Sequence, residues 1–401
     1  MSVALRLREL RIYPLAIPMR FRFEHAAASR SVADPVVVGL TAEPPFADYT
    51  GFGETLARTY VTHETAATAV EDIESLFAPH LLSFRATSFE DACEQIEALP
   101  YFIDGRLVTA ARAAVELALI DLAGKVFRRP ARDVARIVGA DAAVFAEPGA
   151  APLARYSGIV VGSRAWKLNA AIRAQRCYGL RDFKLKVATE GWEDRLILTH
   201  RMLGAAVEKG HATLRVDANS AWTLSEAVSV APFLEKHSVQ AIEQPMNRLH
   251  DDDLPDLASR TSCALIADES LITVQDAERL IDDGAVRVFN IRIAKNGGLI
   301  AALNIARLVL AARRDVQLGC LVGETSLLSA AGAAFLSVMP QVRYAEGAFG
   351  SFLLRDDLTD RQIRIGRGGR LRPVDGPGLG VEVSEKRLDR LCPLPGPHIR
   401  F

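Results

Sequence analysis

Asp217, Glu243 and Asp268 each close a short β-like run, and they recur at intervals of about 25 residues, the length of one strand and helix in a β/α barrel. The runs read Thr213-Leu214-Arg215-Val216-Asp217, Val239-Gln240-Ala241-Ile242-Glu243 and Ala264-Leu265-Ile266-Ala267-Asp268. Each carboxylate thus stands where a strand gives way to its loop, and in such a barrel those ends meet on one face. Three carboxylates there make an all-oxygen site that leaves positions open for substrate and water. Mg²⁺ is the natural occupant and Mn²⁺ the next. One such acid alone reads better as a helix N-cap, since Asp217 precedes Ala218-Asn219-Ser220 and Asp268 precedes Glu269-Ser270; three in succession favour a metal.

Lysines frame the acids. Phe183-Lys184-Leu185-Lys186-Val187 lies one unit upstream, and Lys295 follows Val288-Phe289-Asn290-Ile291-Arg292-Ile293-Ala294 one unit downstream. Lys184 and Lys186 alternate on a strand, so both leave the same face. Two ammonium groups inside a barrel should depress each other through repulsion and lost hydration, bringing a lysine toward base strength near neutrality. An exposed edge with two solvated lysines is the plain alternative, and the apolar Phe183, Leu185 and Val187 argue against it. Asn296-Gly297-Gly298-Leu299 after Lys295 would open a helix whose free N–H groups attract an anion. Lys186 and Lys295, with the acidic strands between them, would flank a substrate from opposite sides. Together these groups suit removal of a proton from carbon beside a carboxylate, with cation and ammonium charge stabilising the enolate.

The elements that must hold such a site are visible in the rhythm of the chain. Residues 1–60 contain strand-like runs from Leu5 to Pro14 and Val36 to Thr41, and end in Gly51-Phe52-Gly53-Glu54. Helical spacing follows over Thr65 to Phe77, Ser88 to Leu99 and an Ala-rich stretch from Val108 to Val126 that contains Asp121. This predicts an α+β domain over residues 1–130. A stretch rich in Ala, Pro and Gly from Ala140 to Ala154 reads as the crossover into a second domain. From Tyr156 onward apolar runs alternate with helical ones: Gly158 to Val161, Phe183 to Val187, Leu214 to Asp217, Gln240 to Glu243, Leu265 to Asp268, Val288 to Ile293, Gln317 to Leu321 and Arg343 to Glu346. These predict a β/α barrel over 131–375, with a segment over 376–401 returning to the first domain.

The chain has 401 residues and a formal charge of −1, so no whole-molecule field favours nucleic acid or an anionic membrane. It shows no secretory leader and no run of about 18 apolar residues, so a cytoplasmic protein acting on a small molecule is expected. Its five scattered cysteines, never paired as CxxC, read as free thiols.

In order and spacing, the segments GFGE, KLK, VDAN, IEQP at Ile242 to Pro245, ADES at Ala267 to Ser270 and KNGGL at Lys295 to Leu299 resemble the enolase superfamily, and within it the muconate lactonizing (muconate cycloisomerase) subgroup. The resemblance spans nearly the whole chain. It implies an α+β capping domain on an enolase-like modified TIM barrel, Asp217, Glu243 and Asp268 as metal ligands, and Lys186 and Lys295 as opposed acid/bases. Lys184 would tune Lys186, while Asn219 and Glu269 would orient the ligands without binding the ion. Capping-domain loops, here Arg20 to Val32 with His25 and Arg30 and Leu56 to Glu64 with Arg58 and Tyr60, would select the substrate. Glu324 is similar to an acid that cycloisomerases carry after strand seven, although the Gly323 before it departs from the familiar pattern. Tyr344-Ala345-Glu346-Gly347 lacks the Asp-x-Asp pair of dipeptide epimerases, and Phe349-Gly350-Ser351-Phe352-Leu353-Leu354 is similar to the cycloisomerase strand-eight loop. A homo-oligomer is also implied.

The expected activity is Mg²⁺-dependent proton transfer α to a carboxylate, as a cycloisomerase or a racemase/epimerase. An acid-sugar or hydroxy-acid dehydratase would use the same enolate but expel a β-leaving group. A barrel retained for binding alone is the reading from another class, and a Schiff-base aldolase would have no use for three strand-end acids.

Overall fold

The computed structural model describes residues 3–25, 28–139, 144–147, 154–160, 164–187, 189–371 and 374–401. Most of the expected crossover from Ala140 to Ala154 lies outside them. Leu5–Pro14, Val36–Ala42 and Thr50–Thr55 form an antiparallel sheet, with His398–Arg400 paired on the outer edge of Leu5–Pro14. The stretch from Arg20 to Val32, expected as a loop, instead belongs to a hairpin of Ile17–His25 with Ala28–Ala33. Apolar residues at every second position, Ile17, Met19 and Phe21, give this segment strand periodicity.

The helix Thr109–Phe127 packs across Thr50–Thr55, and its alanines bring the two backbones close. The glycines of GFGE make that possible. A Cβ on Gly51 would lie 2.3 Å from Ala118 O, and one on Gly53 would lie 2.0 Å from Ala114 O. Asp121 in this helix accepts from the amides of Phe52 and Leu379, both at 2.9 Å, so one carboxylate ties sheet, helix and C-terminal segment together.

Eight parallel strands run in chain order: Gly158–Val160, Asp182–Lys186, Thr213–Asp217, Ala241–Glu243, Ala264–Ala267, Val286–Ile291, Asp315–Leu318 and Tyr344–Ala345. The last closes on the first, where Ser157 N donates to Ala345 O at 2.7 Å. Every expected barrel run supplies a strand, and the architecture is a capped β/α barrel. No helix among the described residues is long and apolar enough to cross a membrane.

Two capping-domain carboxylates join the domains at helix N-termini, where backbone N–H groups lack partners of their own. Glu54 accepts from Thr325 N and Leu328 N at the start of Ser326–Leu336, both at 2.9 Å. Glu116 accepts from Ile300 N at 2.7 Å, at the start of Leu299–Ala311. The Gly297-Gly298 turn was expected to expose an anion-binding helix start. Instead Glu116 fills it, and a Cβ on Gly298 would lie 2.3 Å from that carboxylate.

Candidate active site at the barrel mouth

Parallel register sets the first row of the site. Lys186 on the second strand lies beside Asp217 on the third, which lies beside Glu243 on the fourth. Asp268 directly follows the fifth strand, and Gln244 holds it there: its side-chain oxygen accepts from Asp268 N at 2.9 Å and Ser270 N at 3.1 Å. The Gln of IEQP thus shapes the ADES loop.

One layer deeper, Lys184 reaches Glu243 at 3.1 Å, Asp217 at 3.4 Å and Glu346 at 2.7 Å. Arg215 pairs with the same Glu346 at 2.5 Å. Burial alone would depress the Lys184 ammonium, but Glu243, Glu346 and Asp217 outweigh it and hold it above its ordinary range. The expectation that two neighbouring lysines weaken each other fails for Lys184 because carboxylates surround it. Neither Arg215 nor Glu346 was singled out from sequence, although Arg215 stands two residues before Asp217 and so shares its face.

Lys186 is more open, with its side chain 24% exposed. Its ammonium donates to Asn219 Oδ1 at 2.9 Å and stands 3.8 Å from Asp217. Asn219 N in turn donates to Asp217 at 3.0 Å, and its side-chain amide lies 3.4 Å from Glu269. Burial opposes the charge on Asp217, yet Lys184 and Lys186 hold its carboxyl at about 2. Burial and the adjacent Asp217 push Glu269 up to about 7.

Strand six differs from its expected reading. The strand stops at Ile291, so Arg292 follows it as Asp268 follows strand five. Arg292 contacts Asp268 directly and lies 3.9 Å from Glu243. Lys295 sits farther on, in the one-turn helix Ile293–Asn296. Its fully buried ammonium donates to Asp268 O at 2.6 Å, Asn290 O at 2.9 Å and Asp268 Oδ1 at 3.0 Å. Burial, with Arg292 nearby, pushes it well below its ordinary range. The expected approach of Lys295 to a substrate is not what the fold presents, because the strand ends at Ile291 and Lys295 lies beyond it in the one-turn helix. Counting back to the strand-end position would have found Arg292.

A cavity of about 470 Å³ lies above this floor, with Asn219, Glu269, Tyr60, His63, Arg248 and Leu249 among its walls. Tyr60 therefore stands where a substrate-selecting loop residue was expected. Arg30 does not line it; it pairs with Asp34 at 2.9 Å, and buried Arg58 binds the same carboxylate at 2.9 Å. The His25 side chain lies outside the described part of the structure. Glu324 accepts from Leu321 N at 2.5 Å and is pushed up to about 8 by burial, with no contact to Lys295, whose hydrogen bonds go elsewhere.

Among the described residues no three His, Cys, Asp or Glu side chains converge tightly enough to enclose a cation. Asp268 is drawn to Arg292 and Lys295, and Glu243 to Lys184, Asn290 and Gln317. The donor chemistry nevertheless fits a hard divalent ion. Glu269 Oε2 is buried without a hydrogen bond, and Asp217 Oδ2 has none either but stands 3.4 and 3.8 Å from Lys184 and Lys186; a cation would relieve the first and compete with the lysines for the second. The residues able to hold one are Asp217, Glu243 and Asp268, with Asp268 releasing Arg292.

The N-terminal domain of the mandelate racemase / muconate lactonizing enzyme family matches residues 8–135, and the enolase C-terminal domain-like family matches residues 167–387. The chain is 28% identical over 341 residues to muconate cycloisomerase 1-2 of Acinetobacter lwoffii, covering 85% of this chain and 84% of that protein. It is 26% identical over 345 residues to a hydrophobic dipeptide epimerase of Enterococcus faecalis, covering 85% and 90%. Its fold matches that of a muconate lactonizing enzyme from Pseudomonas fluorescens with a TM-score of 0.82 at 23% identity, over 96% of this chain and 99% of the other. An N-succinyl Arg/Lys racemase from Bacillus cereus matches with a TM-score of 0.83 at 20% identity, over 98% and 100%. With both halves of the chain matched and the capped barrel in place, this protein belongs to the mandelate racemase/muconate lactonizing enzyme family and is an enzyme of the enolase superfamily.

Proposed function

We propose that this enzyme transfers a proton at the carbon adjoining a carboxylate of a small-molecule substrate, with Lys186 as the proton carrier. The observation that carries the reading is the row of Lys186, Asp217 and Glu243 on adjacent strand ends, open to the cavity through Asn219. Enzymes of this family are generally metal-dependent, and Mg²⁺ held by Asp217, Glu243 and Asp268 is the ion these donors suit. Bound there, it supplies Lewis-acid charge that steadies the enolate form of the substrate carboxylate.

The chain's own residues do the rest. Asn219 points the Lys186 ammonium toward the mouth. Lys184, kept cationic by its three carboxylates, adds fixed positive charge beneath the site. Tyr60, His63 and Leu249 line the cavity beside this row. Cycloisomerisation and racemisation/epimerisation both begin with such a step, and relatives of both kinds support this common core. Dehydration remains the alternative outcome of the same enolate.

The test is hydrogen exchange in D₂O with Mg²⁺, using pools of N-acylamino acids, amino acids, hydroxy acids and unsaturated diacids read by mass spectrometry. Metal-dependent deuterium uptake or rearrangement that disappears in Lys186→Ala is expected. Undiminished exchange in that variant removes Lys186 from the reaction.

A further inference from the structure

Resting on the reading above, we propose that the site is one-sided: Lys186 serves one face of the reacting carbon, and Arg292 presents a guanidinium, not a second base, to the other. In an eight-stranded barrel the second and sixth strands stand diametrically opposite, so Lys186 and Arg292 face each other across the mouth. Space is kept for Arg292 by Gly319 at the end of strand seven, where a Cβ would come within 2.9 Å of Arg292 Cγ. The Arg292 side chain is 9% exposed, and its Nε is buried with no hydrogen bond. Lys295, the amine nearest to strand six, lies behind it with zero exposure and acceptors for all three of its N–H groups.

A guanidinium stays protonated throughout the working pH range and offers a fork of N–H donors to a carboxylate. Inversion at carbon requires a proton acceptor on one face and a donor on the other. Here Lys186 acts as the neutral amine: the C–H bond breaks toward its lone pair, the C–H electron pair enters the adjoining carboxylate as the enolate, and the proton taken up makes Lys186 Nζ an ammonium. The reverse step returns a proton from that same ammonium to the same face. Exchange therefore proceeds with retention, and racemisation and epimerisation drop out of the outcomes. What remains are reactions completed on one face, by departure or addition of a group on the neighbouring carbon, with Arg292 pairing to a substrate carboxylate.

Reductive methylation of the folded, full-length protein with formaldehyde and dimethylamine–borane, followed by peptide mass mapping, reads which amines reagent can reach at the barrel mouth without needing a substrate. Lys186 should be methylated and Lys295 at least about tenfold more slowly, because reagent must await local opening to reach it. In Arg292→Lys, position 292 should become methylated at a rate comparable to Lys186. Methylation of Lys295 at the Lys186 rate, or a position 292 that stays unlabelled in the folded variant, overturns the one-sided site while leaving the parent reading intact. An inert Lys186 overturns both.

Discussion

Two sets of buried carboxylates divide the labour in this molecule. Those at the domain seam take their hydrogen bonds from backbone amides that cannot move. Glu54 binds the start of one barrel helix and Glu116 the start of another, and within the capping domain Glu64 likewise accepts from Ala110 N and Ala111 N at 2.8 and 3.1 Å. Those at the barrel mouth lean on side chains that can rotate away: Asp217 on Lys184 and Lys186, Asp268 on Arg292 and Lys295. Asp217 Oδ2 and, beside it, Glu269 Oε2 have no hydrogen bond at all. Both sets are buried; what differs is the balance of donors, since Glu54 and Glu116 add helix-start amides to their side-chain partners Thr325 and Arg112, whereas Asp217 has one amide, that of Asn219, beside two lysines. A carboxylate satisfied by helix N–H groups is a fastener, whereas one held by mobile cations can exchange them for a metal or substrate.

The largest effect should come from the mouth. Lys186→Ala is expected to slow hydrogen exchange of a responsive carboxylate by about 10³-fold, the range for loss of a general acid/base, with little change in the urea unfolding midpoint. A large stability loss would place Lys186 among the fasteners. At the seam the pattern reverses. Glu116→Ala strands buried Arg112 and the amide of Ile300, and should cost roughly 3–5 kcal/mol in urea unfolding. A cost near zero would erase the distinction between the two sets.

Mg²⁺ sharpens it further. At about 100 times its dissociation constant a ligand bound only to the folded state adds about 2.7 kcal/mol, so thermal unfolding should rise with Mg²⁺ and stop rising in Asp217→Asn. Glu54→Gln should keep the full response. If Asp217→Asn keeps it too, the metal lies elsewhere.

Acidity gives the smallest readout. Burial pushes Glu54 and Glu64 up to about 7 from 4.5. A carboxyl raised on folding binds its proton more tightly in the folded state, so its contribution is fully present below about pH 4.5 and fades as pH rises through 7. The carboxyl of Asp217, held at about 2, works in the opposite direction: its contribution is present above about pH 4 and is lost as pH falls toward 2. Glu54→Gln should flatten the decline between pH 4.5 and 7 in urea titrations, while Glu269→Gln isolates the corresponding share of the mouth. An unchanged slope in Glu54→Gln would assign the decline to other groups.

Strand ends were legible because their signals are local. Alternation at a period of two puts Lys184 with Lys186, and an acid closing an apolar run marks a strand end whatever surrounds it. The Gly51 and Gly53 positions were visible as a motif, but their use, letting the backbone of Thr109–Phe127 approach the sheet, involves residues some 60 positions away. Arg30 read as a candidate for touching substrate, and no local feature announced that Asp34 would claim it together with Arg58.

By itself, then, the sequence determined a capped barrel with acids and lysines at the ends of successive strands, since periodicity and spacing are properties of the chain. Tertiary structure decided which group faces which. Where strand six stops depends on its pairing with strand seven, and that stopping point puts Arg292 at the mouth and Lys295 behind it. Whether the Gly297-Gly298 turn received a ligand or Glu116 depended on a helix from the other domain. Each outcome rests on contacts between segments distant in sequence, whose energies no local pattern encodes.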